Sequence, residues 1–481
     1  MPARRATDGI SPRGIQATSP SRRLPGRNHD AESETADMSA SPPNIVFLHA
    51  HNTGRFIEPY GHAVPTPNLM KMAREGALFR RAFSAAPSCS PSRAAFLTGQ
   101  FPHCAGMLGL AHRGFALANP ERHISHVLAA SGYDTAHCGI EHVVPHSKGA
   151  FSDAYNHALT RNDSARAADV APAVCEWLAT KPRQPFFLNV GTTETHTPYP
   201  EPEPDRFLAE NADHCVPPRP FPDTPELRQM AAGFKRSARQ MDDAFGAILT
   251  TLAETGQDAN TYVFAFTDHG LQWPLHIGSV GEHGNAAYFV ALGPAHFDGG
   301  KTLDGMVSLM DLFPTVCDLA QIDHPDWLQG KSLLPLVDGQ VTSLRDRLFL
   351  EQTFHAAYEP MRAVRTDRHI LIRRFDERET LVLPNTDDTP AKQDLVDHDW
   401  AALPRHQEML HDHYFDPDQQ NNLIGQPELA SVEAGLRASL DDWMCTTDDP
   451  ILEGPIRLPK GVMATDPDAY SPGQEPLIVG E

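Results

Sequence analysis

The chain has 481 residues, of which 40% are hydrophobic and 21% charged, a composition typical of a folded protein with a sizeable core. Its 62 acidic and 40 basic side chains give a formal charge of −22, which argues against binding to the phosphate backbone of nucleic acids. No apolar run approaches the ~18 residues of a membrane-spanning helix. We therefore expect neither nucleic acid nor a membrane as a partner.

The first segment, residues 1–42, is rich in arginine, proline and serine and has no apolar stretch of the kind found in a secretory signal. We expect this leader to lack stable structure. Met38 stands just before the first convincing strand, so we expect translation to begin there and the protein to be cytoplasmic.

Apolar strands and amphipathic helices alternate from Pro43 onwards. Strands are predicted at 44–51, 133–140, 185–192, 261–268 and 286–294, and helices at 66–76, 226–256 and 307–320. This alternation predicts an α/β catalytic domain over 43–345, with a parallel or mixed central sheet and helices on both faces. Functional groups then lie just beyond the carboxyl ends of the strands.

The pattern changes after residue 345. Shorter strands are predicted at 347–352, 360–375 and 379–384, followed by a helix near 427–447. We interpret 346–450 as a smaller α+β subdomain and 451–481, which is rich in proline, as an extended tail.

Polar side chains cluster where the predicted strands end. The candidates are His51, Asn52, His142, His196, Asp268, His269 and His276. Any single histidine is weak support, because the chain has 25 and a strand-end histidine is commonly just hydrogen-bonded or exposed. The pairs His51-Asn52 and Asp268-His269, however, follow apolar strands far apart in sequence, which is typical of metal ligands delivered to one site.

Cys89 lies in the stretch SAAPSCSPSRAAFLTG, residues 84–99. Seven scattered cysteines do not suggest a disulfide framework, so local chemistry must explain this one. Pro91 in the first turn of a predicted helix puts Cys89 beside the positive helix end, where a thiolate or an anionic adduct is stabilised. Arg93, one turn inside, adds a donor for an oxyanion. A buried structural cysteine with an exposed arginine is the alternative.

The sequence CSPSR followed by AAFLTG resembles the C-x-P-x-R signature of the formylglycine-dependent sulfatases. PNIVFLHAHNTG, GYDTAHCGIEH, FTDHG and YFDPDQQNNL are also similar to that family in order and spacing, over nearly all of 43–445. GMLGLAHRG and EPMRAVRT most resemble its heparan N-sulfatase-like branch. The resemblance implies an alkaline-phosphatase-like α/β domain with a small C-terminal subdomain, acting on sulfate esters or sulfamates.

The family's chemistry can be carried over to matching positions. A separate formylglycine-generating enzyme would oxidise Cys89, and the hydrated aldehyde would attack sulfur. A divalent metal, usually calcium, would lower the pKa of the hydrate and neutralise a sulfate oxygen. By the same resemblance Arg93 holds the diol, His142 assists its second hydroxyl, and His196 contacts sulfate or the leaving group.

Substrate contacts are expected from His276 and, in the C-terminal subdomain, from His355 and Arg362. For His355 and Arg362 a surface histidine and an ion pair within a sheet are equally good interpretations.

The predicted metal ligands depart from the family pattern. His51 and Asn52 stand where most members have two aspartates, and Asp268 and His269 stand where they have Asp-Asn. Only one ligand is anionic. Because calcium prefers hard carboxylate oxygens, this set favours manganese or zinc.

Two basic residues of the family pattern are also missing, since Ile140 and Ile277 occupy their places. Losing such donors costs a factor of ~10²–10³ each in rate unless other groups replace them, and Arg55, His276 and His283 are candidates.

Three functions therefore remain open: a sulfatase, a phosphonate monoester or phosphodiester hydrolase of the same superfamily, and a non-catalytic protein that binds sulfated ligands. We expect the substrate to be a small sulfated sugar or an aryl sulfate.

Overall fold

A computed structural model describes residues 41–144, 155–160, 164–201 and 211–481, and Pro42–Glu481 is one compact unit. The leader predicted over 1–42 lies almost wholly outside the described residues. No helix in the described ranges is both long and apolar enough to cross a membrane.

The strands of the described ranges are, in chain order, β1 (Asn44–Ala50), β2 (Ala77–Phe79), β3 (Ala82–Phe83), β4 (Asp134–Gly139), β5 (His157–Ala158), β6 (Phe186–Gly191), β7 (Thr261–Thr267), β8 (Ala286–Ala287), β9 (Phe289–Leu292), β10 (Lys301–Leu303), β11 (Val307–Ser308), β12 (Arg347–Phe354), β13 (Tyr358–Thr366), β14 (His369–Arg374), β15 (Glu408–Asp412), β16 (Met463–Ala464) and β17 (Ile478–Val479).

The α-helices are α1 (Pro67–Glu75), α2 (Cys89–Thr98), α3 (Pro102–Ala105), α4 (Ile124–Ala130), α5 (Ala167–Ala179), α6 (Pro225–Glu254), α7 (Glu282–Asn285), α8 (Leu312–Ala320), α9 (Leu334–Val337), α10 (Pro390–Asp397) and α11 (Ala430–Thr446).

The central sheet is mixed, which confirms the predicted α/β fold. Its strand order is β10-β2-β9-β7-β1-β6-β4-β5. β1 is parallel to both β6 and β7, whereas β9 runs antiparallel to β7. Both faces of β1 are covered: Phe47 packs on one side with Phe264, and Val46 and Leu48 pack on the other. A strand buried on both faces explains the continuous apolar run NIVFL.

The C-terminal region carries a separate antiparallel sheet in the order β12-β13-β14-β15. The strand predicted at 379–384 is wrong: this segment contains only a 3-10 helix at Leu383–Asn385, and the fourth strand is β15. Proline at position 384 suits a 3-10 turn, because its ring cannot donate to a ladder.

Two further boundaries differ from the prediction. The strand predicted at 286–294 is two short strands, β8 and β9, which pair in different sheets. The helix predicted from 307 begins only at Leu312, after β11 and a 3-10 turn in which Ser308 and Asp311 cap one another.

The segment 451–481 is not simply extended. It contains the short antiparallel pair β16 and β17, and Val462 and Ala464 are buried in the same core as Phe47. Apolar packing therefore fixes the tail on the catalytic core.

Candidate active site

The two predicted metal pairs meet at one edge of the central sheet. β1 and β7 are neighbouring parallel strands with Ala50 opposite Thr267, so the residues that follow them come out side by side. The backbone N–H of Asn52 donates to Asp268 Oδ1 at 2.8 Å, and His51 Nε2 lies 3.4 Å from Asp268 Oδ2.

The loop geometry at this edge is tight. The Gly54 N–H donates to the His269 carbonyl at 3.0 Å, which ties the two strand-end loops together. Asn52 and His142 both have left-handed backbones, with φ of 60° and 66°. Left-handed non-glycine residues are uncommon and cluster at functional sites.

Cys89 is the first residue of α2 and faces these loops. Its Sγ lies 3.4 Å from His269 Nε2 and 3.8 Å from Asn52 Oδ1. Ligand atoms of Cys89, Asp268 and His269 all lie within 4.8 Å of one another, and so do those of His51, Cys89 and His142. The structure thus brings the cysteine and both predicted pairs into one cluster, which we call the Cys89 cluster.

Burial dominates the acidity of this thiol. It raises the pKa of Cys89 well above its usual value, Asp268 raises it further, and Arg93 opposes this only in part. Burial thus opposes a thiolate at this helix end, because a buried charge is costly, whereas the alternative of a stabilised anionic adduct stays a prediction.

Arg93 is fully buried, and its guanidinium group donates hydrogen bonds to neighbouring protein groups. Its Nε and Nη2 lie 3.1 and 3.0 Å from Asp268 Oδ2, and its Nη1 donates to His49 Nδ1 at 2.9 Å. Burial alone would raise the pKa of Asp268, but the charges of His269 and Arg93 outweigh it and hold that pKa below its usual range. Asp268 is thus the single permanent anion of the cluster.

His142 and His196 both lie beside His51. The His196 ring stacks on His51 with centroids 4.6 Å apart, and the His142 ring lies 5.9 Å from it. Burial, then His196 and Arg93, lower the pKa of His51 well below its usual value. The His51 imidazole is therefore neutral at pH 7 and keeps a nitrogen lone pair.

Two neighbours of these histidines were missed by the sequence analysis. His112 stacks on His142, with its Nδ1 3.1 Å from His142 Nε2. Gln272 Nε2 donates to His196 Nε2 at 3.0 Å and also bonds Asp387. Gln272 lies four residues beyond Asp268 and His112 lies in the quoted GMLGLAHRG, but nothing in their spacing singled out either side chain.

Of the predicted substrate-binding residues, only His355 adjoins the cluster. Its Nδ1 lies 2.8 Å from Ser88 Oγ, and Ser88 directly precedes Cys89. Burial, then the neighbouring His269 and Arg113, lower the pKa of His355 well below its usual value.

Arg362 lies elsewhere and is fully buried in an ion pair. Its Nε and Nη2 contact Asp449 at 2.5 and 2.9 Å, and its Nε lies 3.5 Å from Glu351. These contacts match the alternative interpretation, an ion pair at the sheet, and leave no donor of Arg362 directed to the Cys89 cluster among the contacts described.

His276 also lies outside the Cys89 cluster. Its Nε2–H donates to the Arg219 carbonyl at 2.9 Å and its ring stacks on His283 at 4.7 Å. Arg55 pairs with Glu282 at 3.0 Å. Among the contacts of the described residues, the side chains of Arg55, His276 and His283 therefore do not touch the Cys89 cluster. The cations missing at positions 140 and 277 are not replaced by these three residues.

The cluster has the donors that a divalent metal needs. Both nitrogens of His51 and Nδ1 of His269 are buried without a hydrogen-bond partner. Buried polar atoms are rarely left unpaired, so several together at one point favour an additional ligand. Two imidazoles, one amide and one carboxylate fit manganese or zinc better than calcium.

A family model named Sulfatase matches residues 43–322, and a model for the C-terminal region of N-sulphoglucosamine sulphohydrolase matches 288–402. Human N-sulphoglucosamine sulphohydrolase is 28% identical over 491 residues, covering 91% of this chain and 95% of its own.

Solved structures show the same fold. A protein solved with its substrate D-glucosamine-2-N,6-O-disulfate has a TM-score of 0.65 at 16% identity, covering 86% of this chain and 99% of its own. A phosphonate monoester hydrolase from Silicibacter pomeroyi has a TM-score of 0.63 at 18% identity, covering 85% and 96%.

The fold, a mixed central sheet with a separate antiparallel C-terminal sheet, is thus that of the α/β hydrolases to which the chain is similar. The chain belongs to the sulfatase family, in the sulfamidase-like branch, and is a sulfuric ester hydrolase.

Proposed function

We propose that this enzyme removes a sulfate or sulfamate group from a small sulfated amino sugar, with Cys89 converted to formylglycine. The position of Cys89 carries the proposal, because its Sγ lies within 3.8 Å of both strand-end loops. The amino-sugar preference is supported by the similarity to N-sulphoglucosamine sulphohydrolase and by the glucosamine disulfate bound to a protein of the same fold.

The state of the thiol supports conversion. A thiol whose pKa is raised well above its usual value is a poor nucleophile at pH 7. A hydrated aldehyde at the same position would attack through oxygen and later release sulfate by collapse, so no second water is needed. We propose a formylglycine-generating enzyme as the partner that performs this conversion.

We assign His51, Asn52, Asp268 and His269 as ligands of one divalent cation, manganese or zinc. When bound, the cation would lower the pKa of the attacking hydroxyl and neutralise sulfate charge. Two features of the chain preorganise this metal site. Arg93 on α2 orients the Asp268 carboxylate, and burial keeps His51 neutral.

We assign proton transfer to the two histidines beside His51, which are His142 and His196. Gln272 can only donate through Nε2, so His196 Nε2 accepts, while His196 Nδ1 donates to the Thr197 carbonyl at 2.5 Å. His196 would therefore have to take up a proton before it could give one to a leaving group. His142, next to His112, is placed to take a proton from the second hydroxyl.

The experiment begins with protein co-expressed with a formylglycine-generating enzyme. Conversion of Cys89 lowers the mass of its tryptic peptide by about 18 Da. The converted protein should release sulfate from glucosamine 6-sulfate or N-sulfoglucosamine, and Cys89→Ala should not.

Two controls make the result decisive. Cys138→Ala alters another buried cysteine and should leave turnover unchanged. Full conversion without sulfate release from either sugar, in the presence of manganese or zinc, would contradict the proposed substrate class.

The alternatives are less favoured. The phosphonate monoester hydrolase shares the fold alone, and the full-length relative is a sulphohydrolase. A cytoplasmic location and an aryl sulfate substrate stay predictions from the sequence.

A further inference from the structure

His49 is a fully buried polar side chain in the otherwise apolar strand β1. Its ring lies between Phe96 of α2 and Phe266 of β7, with ring centroids 5.7 Å from each. A buried imidazole is costly unless its nitrogens are hydrogen-bonded. Because these two neighbours are apolar, the hydrogen-bond partners of His49 decide what the residue does.

Both ring nitrogens of His49 have a partner. Arg93 Nη1 lies 2.9 Å from His49 Nδ1, and Asn189 Oδ1 on β6 lies 2.9 Å from His49 Nε2. A guanidinium group can only donate, so His49 Nδ1 accepts and carries no proton. The ring proton is therefore on Nε2, which donates to Asn189. These two contacts select one tautomer of the imidazole.

Strand β6 aims this contact and leaves room for the ring. Asn189 Nδ2 donates to Tyr155 Oη at 2.9 Å, so the amide is held with its oxygen towards His49. Gly191 is the register partner of His49, and a Cβ at Gly191 would clash with His49 Cε1. The hydrogen bonds thus run in one direction, from Arg93 through His49 and Asn189 to Tyr155.

The other edge of the Arg93 guanidinium contacts Asp268. Arg93 Nε and Nη2 lie 3.1 and 3.0 Å from Asp268 Oδ2. The second oxygen, Oδ1, accepts from the backbone N–H groups of Asn52 and His269 at 2.8 and 2.9 Å. Side-chain contacts therefore fix the guanidinium at two edges, through His49 at one and Asp268 at the other.

We propose that His49 and Asn189 are positioning residues of the active site, which hold Arg93 in the orientation that fixes the Asp268 carboxylate. The inference rests on the proposed function, because it takes Asp268 as a metal ligand. Groups that orient a metal ligand contribute roughly 10–100-fold to metal affinity or activity. The polar His49 in an apolar strand is explained by this role.

Two amide substitutions of His49 separate its two contacts. The Oδ1 atom of asparagine is the same number of bonds from Cα as the Nδ1 atom of histidine, whereas the amide nitrogen of glutamine corresponds to Nε2. His49→Asn therefore keeps an acceptor for Arg93, and His49→Gln keeps a donor to Asn189. A residue that only fills space in the sheet would not distinguish the two variants.

Metal affinity is the first measurement, by chelator competition with manganese and zinc on purified protein. We expect His49→Gln to bind the metal roughly tenfold more weakly and His49→Asn to stay within about twofold of the wild type. On the converted enzyme, His49→Gln should lower kcat about tenfold with little change in KM. Urea unfolding establishes that both variants are folded.

Asn189→Leu tests the same role from β6. It removes the acceptor of the Nε2 proton, so His49 can adopt the other tautomer, which directs a proton at Arg93. The same tenfold loss of metal affinity is expected, and this variant carries the test if His49→Gln does not fold. His411→Asn and His411→Gln are the matched controls, because His411 is buried on β15 and bonds the Asn421 carbonyl. Both should bind metal as the wild type does.

The outcomes separate this inference from the proposed function. Equal losses in His49→Asn and His49→Gln, or no loss in His49→Gln and Asn189→Leu, overturn the positioning role even if the wild type releases sulfate. A wild type that binds metal without releasing sulfate contradicts the proposed reaction, while metal affinity still tests the positioning role. A wild type without metal affinity overturns both.

Discussion

At the scale of single residues, the environment of each side chain decides its chemistry more than its type does. Cys89, at a helix start, has a raised pKa because it is buried beside Asp268. Arg93 orients Asp268 and contacts His49, and its predicted contact with the diol stays a prediction. The same residue types in a solvated cleft would act differently.

The metal prediction belongs to this scale. Asp268→Asn removes the only carboxylate of the ligand set, so we expect the purified variant to lose the manganese or zinc retained by the wild type. Elemental analysis after dialysis measures this directly.

His355→Ala is the matched control, because His355 adjoins Cys89 through Ser88 but is not in the ligand set. It should retain the metal. Stoichiometric calcium in the wild type would refute the preference for a softer ion.

Gln272 provides a second prediction. Gln272→Leu removes the donor to His196 Nε2, so the orientation and protonation of His196 are no longer fixed. We expect kcat to fall about tenfold with little change in KM, since general acid–base steps contribute ~10²–10⁴ and only part is lost.

Initial-rate kinetics on the converted enzyme measures this effect. Gln229→Leu, on an exposed position of α6 near His196, should behave as the wild type. A fall in kcat for both variants would mean that the effect is not specific to the His196 contact.

At the scale of elements, buried polar contacts join α3 to the C-terminal sheet. His103 on α3 contacts Glu351 on β12 at 2.9 Å, and Arg362 on β13 contacts Asp449 beyond α11. Buried pairs of this kind are costly to break because the remaining charge has no compensation. Arg362 therefore has a structural role in this chain that does not involve the Cys89 cluster.

This contact predicts a pH dependence of stability. Burial alone would lower the pKa of His103, but Glu351 outweighs it and raises the pKa to about 10. Because the folded-state pKa of His103 lies above the unfolded value of ~6.5, the contact with Glu351 stabilises the protein fully below pH ~6.5. This stabilisation is lost as the pH rises through about 10.

We therefore expect the free energy of unfolding to fall by about 1.5–3 kcal/mol between pH 7 and 10, the range of a charged hydrogen bond. Urea unfolding at several pH values measures it. His103→Gln should show a flatter profile over this range, and an equally steep profile in that variant would contradict the assignment.

At the scale of the whole molecule, the C-terminal tail is part of the core. Val462 is 4% exposed and lies in the same cluster as Phe47, although it is separated from β1 by most of the chain. The tail therefore contributes to the stability of the domain that carries the Cys89 cluster.

Val462→Asp buries an unpaired charge, so we expect a loss of about 3 kcal/mol in the free energy of unfolding. Val479→Asp is the matched control, because Val479 lies in the same tail but is 54% exposed. Its effect should stay within about 0.5 kcal/mol. Equal, small effects in urea titrations would mean that the tail does not pack as described.

The sequence by itself determined the α/β class, most strand positions, and the family, because these depend on local periodicity and on short motifs such as CSPSR. It also predicted that His51, Asn52, Asp268 and His269 serve one site, because each pair follows an apolar strand. It did not determine which strands are neighbours.

Only the tertiary structure decided the rest. Gln272 and His112 became part of the site through contacts that no spacing in the chain encodes. Arg362 and His276, which were predicted to contact substrate, lie outside the Cys89 cluster. Their side-chain direction and burial depend on packing between elements distant in sequence. Local pattern fixes where a strand ends, whereas long-range packing fixes what each side chain touches there.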